Sequence, residues 1–193
     1  MLYATASQTV GPYLHIGLTG PDNNLQRDDL TAEAPSLAGQ RIIIEGRITD
    51  GTGAPVPDGM VEIWQANPAG RYRHPDDQRE LALTPGFTGF GRVPTGPDGE
   101  FRFVTVKPGA VPGVDGKPQA PHIMVSVFMR GLVKQVRSRI YFADEAQANA
   151  ADPVLALVPA ARRQTLIAQP GANGVLRWDI VMHGEGETVF FDI

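Results

Sequence analysis

Alternation dominates the middle of the chain. From Gln40 to Thr49, Ile42, Ile44, Gly46 and Ile48 fall on one side and Arg41, Ile43, Glu45 and Arg47 on the other, the two-residue period of a half-buried strand. Asp50-Gly51-Thr52-Gly53 closes it. A second run sets Met60, Glu62 and Trp64 against Val61, Ile63 and Gln65, then stops at Asn67-Pro68-Ala69-Gly70. In the plainest reading of this run Trp64 fills the core, while Arg71, Arg73 and His74 face water. Gly86 to Val93 is short and glycine-rich, the pattern of a strand with a bulge. Asp98-Gly99 predicts a hairpin turn into a strand where Phe101, Phe103 and Thr105 alternate with Arg102, Val104 and Val106. After a proline- and glycine-rich loop from Lys107 to Pro121, strands are predicted over 122–129 and 134–142, joined through Arg130-Gly131.

The helical signals are confined to the region near 144–168, where Asp144-Glu145 opens alanine-rich text. Val175 to Met182 returns to alternation, with Leu176, Trp178, Ile180 and Met182 on one face, and Glu187 to Ile193 predicts a last short strand. Ahead of all this, Ser7 to Leu18 forms an apolar arm bent at Gly11-Pro12, and residues 19–38 read as a polar surface connection. Roughly seven or eight short strands, with turns about every 8 to 12 residues, predict a mainly β fold, a two-sheet β-sandwich. The expected division is an arm with its connection over 1–38 and a sandwich domain over 39–193.

Composition agrees and removes several functions. A chain of 193 residues with 22 glycines and 17 prolines suits one turn-rich domain. A net charge of −4, with no basic run, argues against nucleic acid as a partner. The absence of cysteine excludes disulfides, zinc–thiolate sites and thiol catalysis. No apolar segment approaches the roughly 20 residues that span a bilayer, and the N-terminus lacks signal-peptide character, so a cytoplasmic protein is expected.

Several motifs then point to specific chemistry. Ser7-Gln8-Thr9-Val10-Gly11-Pro12-Tyr13, Glu62-Ile63-Trp64-Gln65-Ala66-Asn67, Gly70-Arg71-Tyr72, Lys107-Pro108-Gly109 and Pro121-His122-Ile123 occur in the order found in intradiol ring-cleaving dioxygenases. Ala143-Asp144-Glu145-Ala146-Gln147-Ala148-Asn149 and the ending Gly184-Glu185-Gly186-Glu187-Thr188-Val189-Phe190-Phe191-Asp192 narrow the resemblance to the alpha subunit of a two-subunit member. The resemblance implies a transthyretin-like sandwich and a reaction in which 3,4-dihydroxybenzoate (protocatechuate) and O2 give 3-carboxy-cis,cis-muconate. It also implies ferric iron held by two tyrosines and two histidines, since hard phenolate oxygens suit Fe(III).

This chain departs from that ligand set. Tyr72 and His122 stand at two of the positions, but Val111 and Met124 stand at the other two, and Gln119 replaces an expected arginine. Valine offers no donor and a thioether is soft. The expectation is therefore no metal in this chain, with Fe(III) bound by a beta subunit whose active site this one completes. By the same resemblance Thr9, Gly11, Pro12 and Tyr13 wall the partner's substrate pocket, and Arg130 favours a carboxylated substrate. Arg130 would lie on the face of His122 and Met124 if the strand stayed regular, about 26 Å from His122. A higher-order assembly of alpha and beta chains is expected. The alternative is a non-catalytic, transthyretin-like ligand-binding module, for which the Thr95–Phe103 hairpin speaks.

Overall fold

The computed structural model describes residues 3, 6–20, 26–113 and 116–192. The chain begins with a short helix, α1 (Leu14–Thr19), and then builds strands β1 (Arg41–Thr49), β2 (Met60–Trp64), β3 (Phe90–Pro94) and β4 (Glu100–Val106). A small ribbon, β5 (Val111–Pro112) with β6 (Pro118–Gln119), leads into β7 (His122–Phe128) and β8 (Val136–Phe142). Helices α2 (Ala146–Ala151) and α3 (Pro153–Leu157) and a 3-10 turn over Ala160–Leu166 follow, then β9 (Ile167–Pro170), β10 (Val175–Arg177) and β11 (Ile180–Val181).

The strands make a mainly β fold of two facing layers. One layer runs β3-β2-β7-β8, antiparallel throughout. The other sets β4 antiparallel to β1, with β10 and β11 parallel to β1. β9 pairs with both β8 and β10, so the sheet curls from one layer into the other. Ile42, Ile44, Ile48, Phe101, Phe103 and Trp178 from the second layer meet Val61, Ile63, Val125, Val127, Ile140 and Phe142 from the first. A smaller cluster of Ala120, Tyr141, Leu155, Val158 and Leu166 closes the outer side of β8 under the helices.

Strand periods are borne out in β1, β2, β7 and β8, where alternate residues enter the core. Other expectations need correction. Asp98-Gly99 makes no hairpin: β3 belongs to one layer and β4 to the other, so the turn carries the chain across the sandwich. The run 175–182 is broken at Trp178-Asp179. There Asp179 Oδ1 takes over the Arg47 amide at 2.9 Å. A Cβ at Gly46 would stand 1.9 Å from the Trp178 carbonyl oxygen, so the close approach requires glycine. Residues 187–192 form a single bridge, Arg137 with Phe191, instead of a strand, and Ile193 lies outside the described residues. The connection expected on the surface instead buries Leu30 and Ala34 in the core and bridges Arg27 to Arg92 and Asp29 to Val104. Its polar look hid a few apolar anchors spaced by solvent-facing residues. Helix α1 also escaped the expectation that helices start near 144; six residues are too few to establish a helical period. Among the described residues no helix is long and apolar enough to cross a membrane.

Candidate functional site

The two ends of β7 carry the two groups of residues singled out by sequence. At its N-terminal end, alternation puts His122 and Met124 on the outer face of the sheet. Met124 lies between Trp64 of β2 and Arg139 of β8 in register. Tyr72 arrives from the turn after β2. Gly70 makes that turn possible: its φ is +77° and a Cβ would stand 2.1 Å from the Ala110 carbonyl oxygen. The Asn67 side chain accepts from Arg71 N at 3.0 Å and donates to the Ala82 carbonyl at 2.7 Å, and Asp77 accepts from Tyr72 N at 2.8 Å. Tyr72 then stacks on Trp64, centroids 5.9 Å apart and planes inclined by 11°. Trp64 is accordingly half-buried against Tyr72 and is not a core residue. Asp77 is gripped side-on by Arg79 at 2.8 and 2.6 Å, which holds its carboxyl well below the usual carboxylate range.

Val111 sits on β5 opposite Gln119 of β6, and Gln119 Oε1 accepts from Arg139 Nη1 at 2.6 Å. Arg139 therefore links the group: it neighbours Met124, holds the residue opposite Val111, and its charge acts on both Tyr72 and His122. Tyr72, Val111, Trp64, His74, Asp77 and Arg79 border an open cavity of about 720 Å³. His122 is closed off from it, with Nδ1 2.8 Å from the Ala120 carbonyl. A carbonyl can only accept, so Nδ1 carries the proton and the ring is the Nδ1–H tautomer. Burial, reinforced by Arg139, pushes the His122 pKa down to about 4, so the ring is neutral near pH 7. Burial also raises the Tyr72 phenol, against the opposing pull of Arg139 and Arg79, so it stays protonated there.

This arrangement does not fit a ferric ion. The tyrosine and histidine positions are brought together as the motifs imply, but Val111 supplies no donor, Met124 only a thioether, and a guanidinium already stands among them. Among the described residues no group of three or more His, Cys, Asp or Glu could hold a metal. The surroundings are instead partly satisfied internally, with Arg71 Nε, Arg139 Nε and Asn149 Oδ1 buried without a hydrogen-bond partner among the described residues. Tyr141 donates to Asp152 Oδ1 at 3.2 Å, and the fully buried Asp152 also accepts from the amides of Ala120, Val154 and Leu155 at 2.7 to 2.9 Å. Neither Arg139 nor Asp152 was found by sequence reasoning. Parity along β8 could have placed Arg139 beside Met124, whereas nothing local marks Asp152 beyond its N-cap position before α3.

At the other end, β7 stops at Phe128, and Arg130 lies in the following turn, where Gly131 takes a φ of +89°. Arg130 is thus not on the strand face expected from its parity. Its side chain is 63 % exposed, with Nε 3.1 Å from Asp58 Oδ2. The arm reaches this turn: Thr9 Oγ1 accepts from Gly131 N at 2.8 Å. Gly11 has open space where a side chain would stand, Pro12 is half-buried, and Tyr13 is 77 % exposed. The structure thus ties Thr9 to the Arg130 turn through one hydrogen bond and leaves the Tyr13 and Arg130 side chains largely exposed.

Comparison with known proteins gives a consistent picture. A family model described as dioxygenase matches residues 9–184. The chain is 47 % identical over 201 residues to the protocatechuate 3,4-dioxygenase alpha chain of Burkholderia cepacia, covering 100 % of this chain and 98 % of that one. The beta chain from the same organism is 36 % identical over 88 % of this chain and 75 % of its own length. An intradiol ring-cleavage dioxygenase from Tetranychus urticae shares the fold with a TM-score of 0.61 and 19 % identity, covering 92 % and 93 % of the two chains.

Proposed function

Since the chain belongs to the intradiol dioxygenase family, we propose that it works as the alpha chain of a protocatechuate 3,4-dioxygenase, an enzyme of aromatic catabolism. The carrying observation is its 47 % identity over full length to such an alpha chain. The complex opens the ring of 3,4-dihydroxybenzoate between its two hydroxyl-bearing carbons. Both atoms of O2 enter the product, 3-carboxy-cis,cis-muconate. This chain alone lacks the donors for that chemistry, because Val111 and Met124 stand where hard ligands are needed.

The related beta chain is the natural holder of the iron. In this reading the alpha chain contributes a wall and a charge. Pro12 and Gly11 form a rigid backbone surface that can lie close to an aromatic ring, with Thr9 and Tyr13 beside them. Arg130 directs its guanidinium at the substrate carboxylate, which favours protocatechuate over uncharged catechol. The arm then belongs against the partner subunit, several such pairs assemble together, and a cysteine-free chain suits a cytoplasmic setting.

Iron content and visible absorption test the division of labour. The chain purified alone should be colourless and iron-free, and co-expressed with its beta chain it should give a red-brown complex, the tyrosinate-to-iron charge-transfer colour. A coloured lone chain would sink the reading of Val111 and Met124.

A further inference from the structure

Asp58, in the turn before β2, is a charged group that the proposed function leaves unused. Its side chain is 11 % exposed, and its Oδ2 is buried without an aligned hydrogen bond from any described residue. A carboxylate turned away from water normally collects several donors. Among the described residues this one has a single counterpart, Arg130 Nε at 3.1 Å, whose own side chain is 63 % exposed. The pair therefore does little to knit the core. Its effect falls on the arginine.

That effect is directional. A guanidinium binds a carboxylate either along the edge formed by Nε and one Nη, or end-on through Nη1 and Nη2. Asp58 lies closest to Nε but makes no aligned bond with it, so it pairs by charge on that side and leaves the end-on fork for a second anion. The backbone of the same turn is pinned by the bond from Gly131 N to Thr9 Oγ1 at 2.8 Å. The hydrogen bond fixes where the turn sits, and the ion pair keeps the arginine beside Asp58. An arginine held before its ligand arrives loses less rotamer freedom on binding.

We infer that Asp58 is a positioning and specificity residue, an ion-pair partner on the Nε side of Arg130 that leaves its end-on fork for the carboxylate of an aromatic acid. The inference rests on the role proposed for Arg130. It concerns orientation, not added charge, because an aspartate nearby repels the anion that Arg130 attracts. Orientation outweighs repulsion if the Asp58 charge is already cancelled by the guanidinium it touches.

The test uses the complex assembled with the beta chain, carrying Asp58→Ala, Asp58→Asn, Arg130→Ala or the Asp58→Ala/Arg130→Ala pair. Asp58→Ala should raise KM for protocatechuate about three- to tenfold with kcat within about twofold, the pattern of lost ground-state binding. KM for catechol, which has no carboxylate, should stay put. Asp58→Asn keeps the shape but removes the charge that pairs with Nε, and should lose about as much as Asp58→Ala. In the Arg130→Ala background the Asp58 change should add nothing, as expected for two residues acting through one interaction. An unchanged or lowered KM for protocatechuate in Asp58→Ala, an equal rise for catechol, or full additivity would overturn the inference. So would failure of both Asp58 variants to assemble with normal iron content, which would assign the residue to folding. If Arg130→Ala itself leaves the protocatechuate-to-catechol preference intact, the role of Arg130 fails first; if it shifts that preference and Asp58→Ala does not, only the role of Asp58 fails.

Discussion

The two ends of β7 hold charged and aromatic side chains that behave in opposite ways. At the His122 end, polar groups turn inward and find partners: Asp152 accepts four hydrogen bonds, Gln119 holds Arg139, and His122 binds a backbone carbonyl. At the Arg130 end, Tyr13 is open, Gly11 is bare, and the arginine pairs with Asp58 while its side chain stays mostly exposed. The His122 end has the residue types of a binding site, and behind its open cavity His122, Arg139 and Asp152 are tied into the fold by internal hydrogen bonds. The Arg130 end has the exposure of ordinary surface and keeps its donors uncommitted. Matching motif residues do not by themselves make a site, whereas uncommitted donors leave room for one.

The sharpest way to break the contrast is at Asp152. Its replacement by alanine strands four donors in a closed region, so Asp152→Ala should destabilise the fold by about 3–5 kcal/mol, lowering the melting temperature by about 10 °C. Thermal unfolding of the assembled complex measures this. A change under about 1 kcal/mol would mean the closed end is not held as the hydrogen bonds indicate.

His122 supplies a pH test of the same end. Its pKa is lowered from 6.5 in the unfolded chain to about 4 in the fold. The unfolded state therefore binds the extra proton between those values. Stability should be fully present above about pH 6.5 and fall as pH drops toward 4, by about 3 kcal/mol from this residue. Urea unfolding at about pH 7 and about pH 4.5 should show the loss, and His122→Gln should flatten the slope.

The open end should respond in function and not in folding. Pro12→Trp places an indole against the proposed pocket and should cut kcat/KM for protocatechuate by about tenfold or more, with stability changed by less than about 0.5 kcal/mol. Normal turnover would remove the arm from the pocket wall. The smallest effect is expected from Arg130→Ala, a rise in KM for protocatechuate of about tenfold with iron content unchanged. An unaltered KM would return Arg130 to the ordinary surface.

Much of the fold was legible because its signals are local. Isoleucines at every second position of β1 need one face buried, and they have it. Tyr72 was legible as a ligand position in the turn after the Trp64 strand, although its stacking on Trp64, which draws Trp64 out of the core, was not. Helix α1 and the break at Trp178 were hidden, the one by shortness, the other because Gly46 and Asp179 cooperate across two strands far apart in sequence. Arg139 and Asp58 were missed for the same reason: each matters through a partner that only pairing or a turn brings near.

Sequence by itself determined the strand periods, the family, and the absence of a hard donor at two of the ligand positions, because side-chain chemistry and alternation need no neighbour to be read. Tertiary structure alone decided that Arg139 stands among those positions, that Thr9 is tied to the Arg130 turn, and that Asp58 pairs with the arginine. Electrostatic and hydrogen-bonded partnerships act over a few ångströms, and only the folded register brings such groups within that reach.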